Sequence, residues 1–173
     1  MGIHARKGHL VPISDYLRNI RAKIGHDYVF MPGVAAVVFN HEGKVLLQRS
    51  RDSGMWGIIG GTPDPGEQPA DAAVREILEE TSVTAEVDRL VGVFTEVHTH
   101  YPNGDVVQYV GIVFACHLVE GEPRINDDES HAVGFYDTDD LPDDLLARHR
   151  FYIELAIQDR REAFYFFDGK MNL

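Results

Sequence analysis

Residues 61–83 read GTPDPGEQPADAAVREILEETSV, and the rest of the chain is best understood outward from them. Gly61, Pro63, Pro65 and Gly66, with Gly60 just ahead, disfavour regular structure and predict a loop. Pro69 suits the first turn of a helix, where its missing N–H would have had no partner anyway. The predicted helix runs to about Thr81. Glu76 stands three residues before Glu79 and four before Glu80, so the three carboxylates share one helical face. Like charges so placed repel and destabilise a bare helix. Hard divalent cations take oxygen ligands, and such a row supplies them. Ala73 and Ile77, with Val74 nearby, lie on the opposite side and can pack on a sheet. Arg75 precedes Glu79 by four residues and can hold that carboxylate. A row of glutamates alone is more often a solvated face than a metal site. Gly60 and Gly61 change the weighting, because they let backbone come close to a ligand, and Glu67 adds an acid just before the helix.

Around this stretch the chain alternates between helical and extended patterns. Ser14 is placed to cap a helix from Asp15 to about Ile24, stopped by Gly25, with Leu17, Ile20 and Ile24 as its buried stripe. Val34–Phe39 and Lys44–Gln48 read as strands joined by a turn at 40–43, and Trp56–Ile59 is a short apolar run. Val83–Val97 and Val106–Leu118 are β-rich, and the turn Tyr101-Pro-Asn-Gly-Asp105 between them predicts a hairpin. Gly134–Tyr136 reads as one more short strand. Leu145–Ala163 has helical spacing at Leu146, Ile153 and Ala156. This order implies a sheet packed between helices, an α+β arrangement rather than a bundle or a β-sandwich.

Bulk properties narrow the function classes. The 173 residues suit one domain, expected over residues 13–173 behind a flexible segment at 1–12. A net charge of −12 argues against nucleic acid or membrane as the main partner, because both are anionic. It leaves phosphate substrates open, since a bound cation reverses the local field. The basic start, Met1 to His9, lacks an apolar core and does not read as a secretory signal. Cys116 is the only cysteine, so no internal disulfide forms, and the expected setting is cytoplasmic. Residues 127–144 hold eight acids and no Lys or Arg, a segment read as mostly solvated.

The central stretch resembles the Nudix hydrolase family. Its box asks for Gly, five residues, Glu, seven residues, then Arg-Glu-apolar-x-Glu-Glu-x-Gly-apolar. Gly61, Glu67, Arg75, Glu76, Ile77, Glu79, Glu80 and Val83 fall in register. Tyr16-Leu-Arg18, Ile24-Gly-His26, Met31-Pro-Gly33, Val45-Leu-Leu-Gln48 and the 101–105 turn are similar to a bacterial branch of the family, and 138–142 resembles the approach to its C-terminal helix. The likeness covers most of residues 14–157. Three positions depart from the pattern. Ser82 stands where the box has Gly, at a helix end that often turns left-handed. Ile59 stands where many members have Pro, and Gln68 replaces the usual Ser or Thr cap.

The resemblance implies an α/β/α sandwich with a mixed β-sheet between helices. It implies hydrolysis of a phosphoanhydride bond in a nucleoside diphosphate linked to another moiety, with Mg²⁺, or Mn²⁺ in its place. Housecleaning nucleoside triphosphate pyrophosphatase activity and a non-catalytic ligand-binding role are the alternatives. Glu76, Glu79, Glu80 and the Gly61 carbonyl would be the metal ligands, with Arg75 and Glu67 orienting the carboxylates. The general base would be a box glutamate or a residue on a later loop, where Glu129 is the candidate, six residues before Phe135. Arg49 and Arg51 are candidates for contacts with substrate phosphates, though surface arginines fit equally well. Trp56 reads as a plug in the sheet rather than a base-stacking platform. His98 and His100 point to one side of a strand and read as solvent-facing. The partner expected is a small nucleotide-type molecule, and relatives make a homodimer possible.

Overall fold

The computed structural model describes residues 15–101, 103–127, 129–158, 160–167 and the backbone of 170–171. The segment 1–12 and the Ser14 cap therefore lie outside the described residues. In chain order the elements are α1 (Asp15–Ile24), β1 (Val29–Phe39), β2 (Val45–Ser50), β3 (Trp56–Gly57), β4 (Ile59–Gly61), α2 (Pro69–Thr81), β5 (Thr84–Thr95), β6 (Thr99–His100), β7 (Val106–Glu120), β8 (Ser130–Tyr136) and α3 (Ala147–Ile157). A small ribbon, β9 (Phe166–Phe167) with β10 (Lys170–Met171), follows.

The main sheet has the order β3-β2-β1-β7-β5, with β4 on β1, β6 on β7 and β8 on β2. It is mixed: β1 and β7 run parallel from Val29↔Val107 to Phe39↔His117, while β5 and β7 are antiparallel, as the 101–105 turn predicts. The alternation of β1 sets the two layers. Val34, Ala36 and Val38 pack with Ala72, Ala73 and Ile77 of α2, whereas Ala35, Val37 and Phe39 pack toward Tyr152, Ile153 and Leu155 of α3. Strand residues of alternate parity face opposite sides, so one strand feeds both cores. The result is the α/β/α sandwich. Among the described residues no helix is long and apolar enough to cross a membrane.

Four expectations need correction. The stripe of α1 is not a core face: α1 has no buried residue, Leu17 and Ile20 are half-buried and Ile24 is exposed. Gly60 and Gly61 are strand, not loop, because β4 pairs them with Ala35 and Val34. β1 and β8 start earlier than their alternation suggested, at Val29 and Ser130, where pairing with β7 and β2 continues. The last helix stops at Ile157 instead of Ala163. Beyond it Phe164 enters the core at 2% exposure, and its N–H donates to the Val91 carbonyl at 2.7 Å. Burying that ring against Phe94 and Phe151 outweighs continuing the helix.

Candidate active site

The α2 helix is held at both ends. At its start Gln68 makes no side-chain cap, as its departure from Ser or Thr suggested, and Pro69 opens the first turn. At its end Ser82 takes the left-handed conformation, φ 59°, and its N–H reaches the Leu78 carbonyl at 3.0 Å. Ser82 is the only non-glycine among the described residues with positive φ. The box position that prefers Gly thus keeps its left-handed turn with a serine in place. β4 brings Gly61 so close to α2 that a Cβ added there would fall 2.2 Å from the Glu76 carboxylate. Only glycine permits that approach.

Arg75 organises the acids. Its Nε and Nη2 donate to the two oxygens of Glu67 at 2.9 and 3.0 Å, and Nη1 donates to Glu76 at 2.9 Å and Glu79 at 3.0 Å. This planar fork ties the loop acid to the helix acids. The Arg75 hydrogen bonds hold Glu67 below the usual carboxylate range, although partial burial opposes them. Burial raises Glu76, and Arg75 offsets part of that rise.

The three box glutamates stand in unequal environments. The Glu79 side chain is 59% exposed, while Glu80 is only 7% exposed and turns inward. Burial first, then the charges of Glu76, Asp127 and Glu129, raise Glu80 well above the normal range, while a hydrogen bond from Gln48 opposes the rise. Glu80 Oε2 and Asp127 Oδ2 are both buried without a hydrogen-bond partner. Glu129 is half-buried, and burial together with Asp127, Glu76 and Asp52 pushes it up to about 7. Asp127 and Gln48 were not singled out from the sequence. Gln48 figures in the sequence only as the end of the Val45-Leu-Leu-Gln48 segment and Asp127 only as one acid of the 127–144 segment, and folding brings their charge and polarity to bear on Glu80.

The remaining candidates have protein partners. Arg49 donates to the Gly54 carbonyl at 2.8 Å and to Asp144 at 2.9 Å. Arg51 donates to the Ser130 carbonyl at 2.9 Å. Trp56 is buried edge-on against Tyr136, which fits the plug reading. His98 and His100 are exposed, with His98 near the Tyr28 ring.

The donor set fits a divalent cation in its chemistry. Buried carboxylates with unsatisfied oxygens are costly until a positive charge compensates them, and hard oxygens suit Mg²⁺ or Mn²⁺. Arg75 already engages Glu76 Oε1 and Glu79 Oε2. Among the described residues no group of three or more His, Cys, Asp or Glu side chains stands close enough together to hold a metal ion as placed.

A family profile for the NUDIX domain matches residues 29–155, a span that holds most of both cores and all of these acids. The chain belongs to the Nudix family. It is 33% identical over 108 residues to a MutT-like protein of Streptomyces ambofaciens, covering 62% of this chain and 64% of that protein. It is 32% identical over 108 residues to an ADP-ribose pyrophosphatase of Methanocaldococcus jannaschii, covering 61% of each. This Nudix chain thus spans less than two thirds of either relative's length. A solved MutT NUDIX hydrolase from Burkholderia pseudomallei is 29% identical, with a TM-score of 0.60 over 73% of this chain and 98% of that one.

Proposed function

We propose that this protein is a divalent-cation-dependent hydrolase that cuts the phosphoanhydride bond of a nucleoside diphosphate linked to another moiety. The observation that carries the reading is the inward-facing Glu80 carboxylate, buried among acids with Oε2 unpartnered. Such a group is expensive in a resting protein, and a cation relieves the cost. The ADP-ribose pyrophosphatase among its relatives supports a substrate of the same class.

Glu76, Glu79, Glu80 and the Gly61 carbonyl would hold the cation. Mg²⁺ or Mn²⁺ bound there supplies Lewis-acid charge that neutralises the diphosphate and acidifies water. Arg75 fixes Glu76 and Glu79 from one side and Glu67 from the other, so the ligands need little reordering. Glu129, with its pKa near 7, is suited to take a proton from the attacking water at neutral pH. Arg51 sits beside it through the Ser130 carbonyl, and Arg49 is 44% exposed. Both are assigned to substrate phosphate contacts added to their present bonds. Catalysis then rests on positioning and charge stabilisation, with no covalent enzyme intermediate.

The test is a Mg²⁺-dependent screen of nucleoside diphosphate sugars, dinucleotides and nucleoside triphosphates, with product phosphates identified. Glu80→Gln should keep the fold and lower kcat on the order of 100-fold, the scale of a misplaced reacting group. Glu120→Gln, an exposed acid on β7, is the control and should be silent. Equal turnover in wild type and Glu80→Gln would overturn the assignment. Release of pyrophosphate from triphosphates alone would move the substrate class to the housecleaning alternative.

A further inference from the structure

The helix α2 ends against a loop that supplies more than Glu129. Its last turn carries Glu79 and Glu80 and no basic residue, so like charge meets the negative end of the helix. The last four carbonyls of a helix have no partner inside it. Here each finds one outside. Leu78 accepts from the Ser82 N–H at 3.0 Å, Glu79 from Asn126 Nδ2 at 3.0 Å, Glu80 from the Asn126 N–H at 3.3 Å and Thr81 from the Arg124 N–H at 3.0 Å. Asn126 Nδ2 also donates to the Leu78 carbonyl at 3.5 Å. The loop enters this contact closely: a Cβ on Gly121, at φ 101°, would fall 2.8 Å from the Ser82 carbonyl oxygen. Beyond Asn126 it turns to the sheet. Asp127 Oδ1 accepts from the Glu129 and Ser130 N–H groups at 3.2 and 3.0 Å. The Arg51 N–H donates to the Glu129 carbonyl at 2.7 Å, and Arg51 Nε donates to the Ser130 carbonyl at 2.9 Å. The end of β2 thus fixes Glu129 relative to the sheet, and Asn126 fixes the same loop relative to α2.

The proposed chemistry needs two elements in one register. The carboxylate row on α2 would hold the cation, and Glu129 would take the proton. Asn126 donates to the backbone of Glu79 and Glu80 themselves, so a shift at this contact is a shift of the row against the loop. Its side chain is exposed and fills no core. We propose that Asn126 is a positioning residue: its side-chain amide locks the loop onto the end of α2 and so keeps Glu129 in register with Glu76, Glu79 and Glu80. This rests on the functional reading above.

Asn126→Ala removes the amide and leaves no cavity. In the metal-free protein the Arg124 amide, followed by NMR, should exchange with solvent about fivefold faster, the scale of one hydrogen bond. On the best substrate kcat should fall about tenfold while KM holds, because the reacting groups lose register and the binding groups do not. In a Glu129→Gln background the same change should cost nothing further in kcat, since the acid it positions is gone. A merely structural Asn126 would lower the melting temperature and leave kcat of the folded protein unchanged, or would multiply the loss caused by Glu129→Gln. Either result overturns the proposal, as does an unchanged exchange rate at Arg124. If Asn126→Ala does not fold, Asn126→Asp decides by the same readouts, because it keeps the size and turns the donor into a charged acceptor. Glu129→Gln alone separates the two levels. If it is slow while Asn126→Ala matches wild type, only the positioning role falls. If it turns over as fast as wild type, the assignment of Glu129 in the functional reading falls and the positioning role with it.

Discussion

The helices α1 and α2 have similar apolar stripes in sequence and opposite fates in the fold. α2 buries Ala72, Ala73, Ile77, Glu80 and Thr81, whereas α1 buries nothing. The difference lies in what each meets. α2 lies against β4 at its middle, where Gly61 meets Glu76, and closes on the left-handed Ser82, across a sheet face that alternation has left apolar. α1 is held from the side by polar contacts. Its Arg21 lies 3.4 Å from Asp105, and His26 just beyond it reaches the same carboxylate at 2.7 Å. An amphipathic pattern states a preference for a surface; it does not provide one.

Changes at the two helices should therefore differ sharply. The largest effect is expected at the anchor of α2. Gly61→Ala drives a methyl into the Glu76 carboxylate, so either β4 or Glu76 must move, and turnover should drop on the order of 100-fold. Steady-state kinetics on the best substrate would measure it, and unchanged kcat would mean the close approach is dispensable.

Next in size is a matched pair of truncations. Ile77→Ala empties a fully buried site and should cost about 2–5 kcal/mol in urea unfolding. Ile24→Ala on α1 should stay within about 0.5 kcal/mol. Equal losses would erase the contrast between the helices.

A smaller gain is expected at the helix end. Serine at φ 59° carries left-handed strain, so Ser82→Gly should stabilise by up to about 1 kcal/mol, less the entropy glycine adds to the unfolded chain. A lower thermal midpoint would show that Ser82 supports the turn through contacts that outweigh its strain.

The subtlest effect concerns pH. Burial and the charges of Asp127, Glu76 and Asp52 raise Glu129 from 4.5 unfolded to about 7 folded, so the folded state holds this proton more tightly. Its contribution to stability is complete below pH 4.5 and is lost as pH rises through 7. Metal-free protein should thus lose stability between pH 5 and 8, and Glu129→Gln should flatten part of that decline. An identical pH slope in both proteins would place the titration elsewhere.

Features that depend on local spacing could be read from consecutive residues. The Pro69–Thr81 helix, the 101–105 hairpin and the Arg75–Glu79 pair follow from contacts within a few residues, the left-handed turn at Ser82 is what the family resemblance implies, and each matches the structure. Tertiary structure decided what depends on distant partners. The stripe on α1 was legible, but the missing surface beneath it was not. Three glutamates on one face were legible, but their division was not. Glu79 stays in solvent with Arg75, and Glu80 turns in toward Gln48, Asp127 and Glu129, residues 32 to 49 positions away in the chain. The pKa near 7 at Glu129 likewise comes from burial and from charges on separate elements. Helical periodicity is written into consecutive residues, whereas burial and charge density are sums over whatever the fold brings near, and no single stretch of sequence contains that sum.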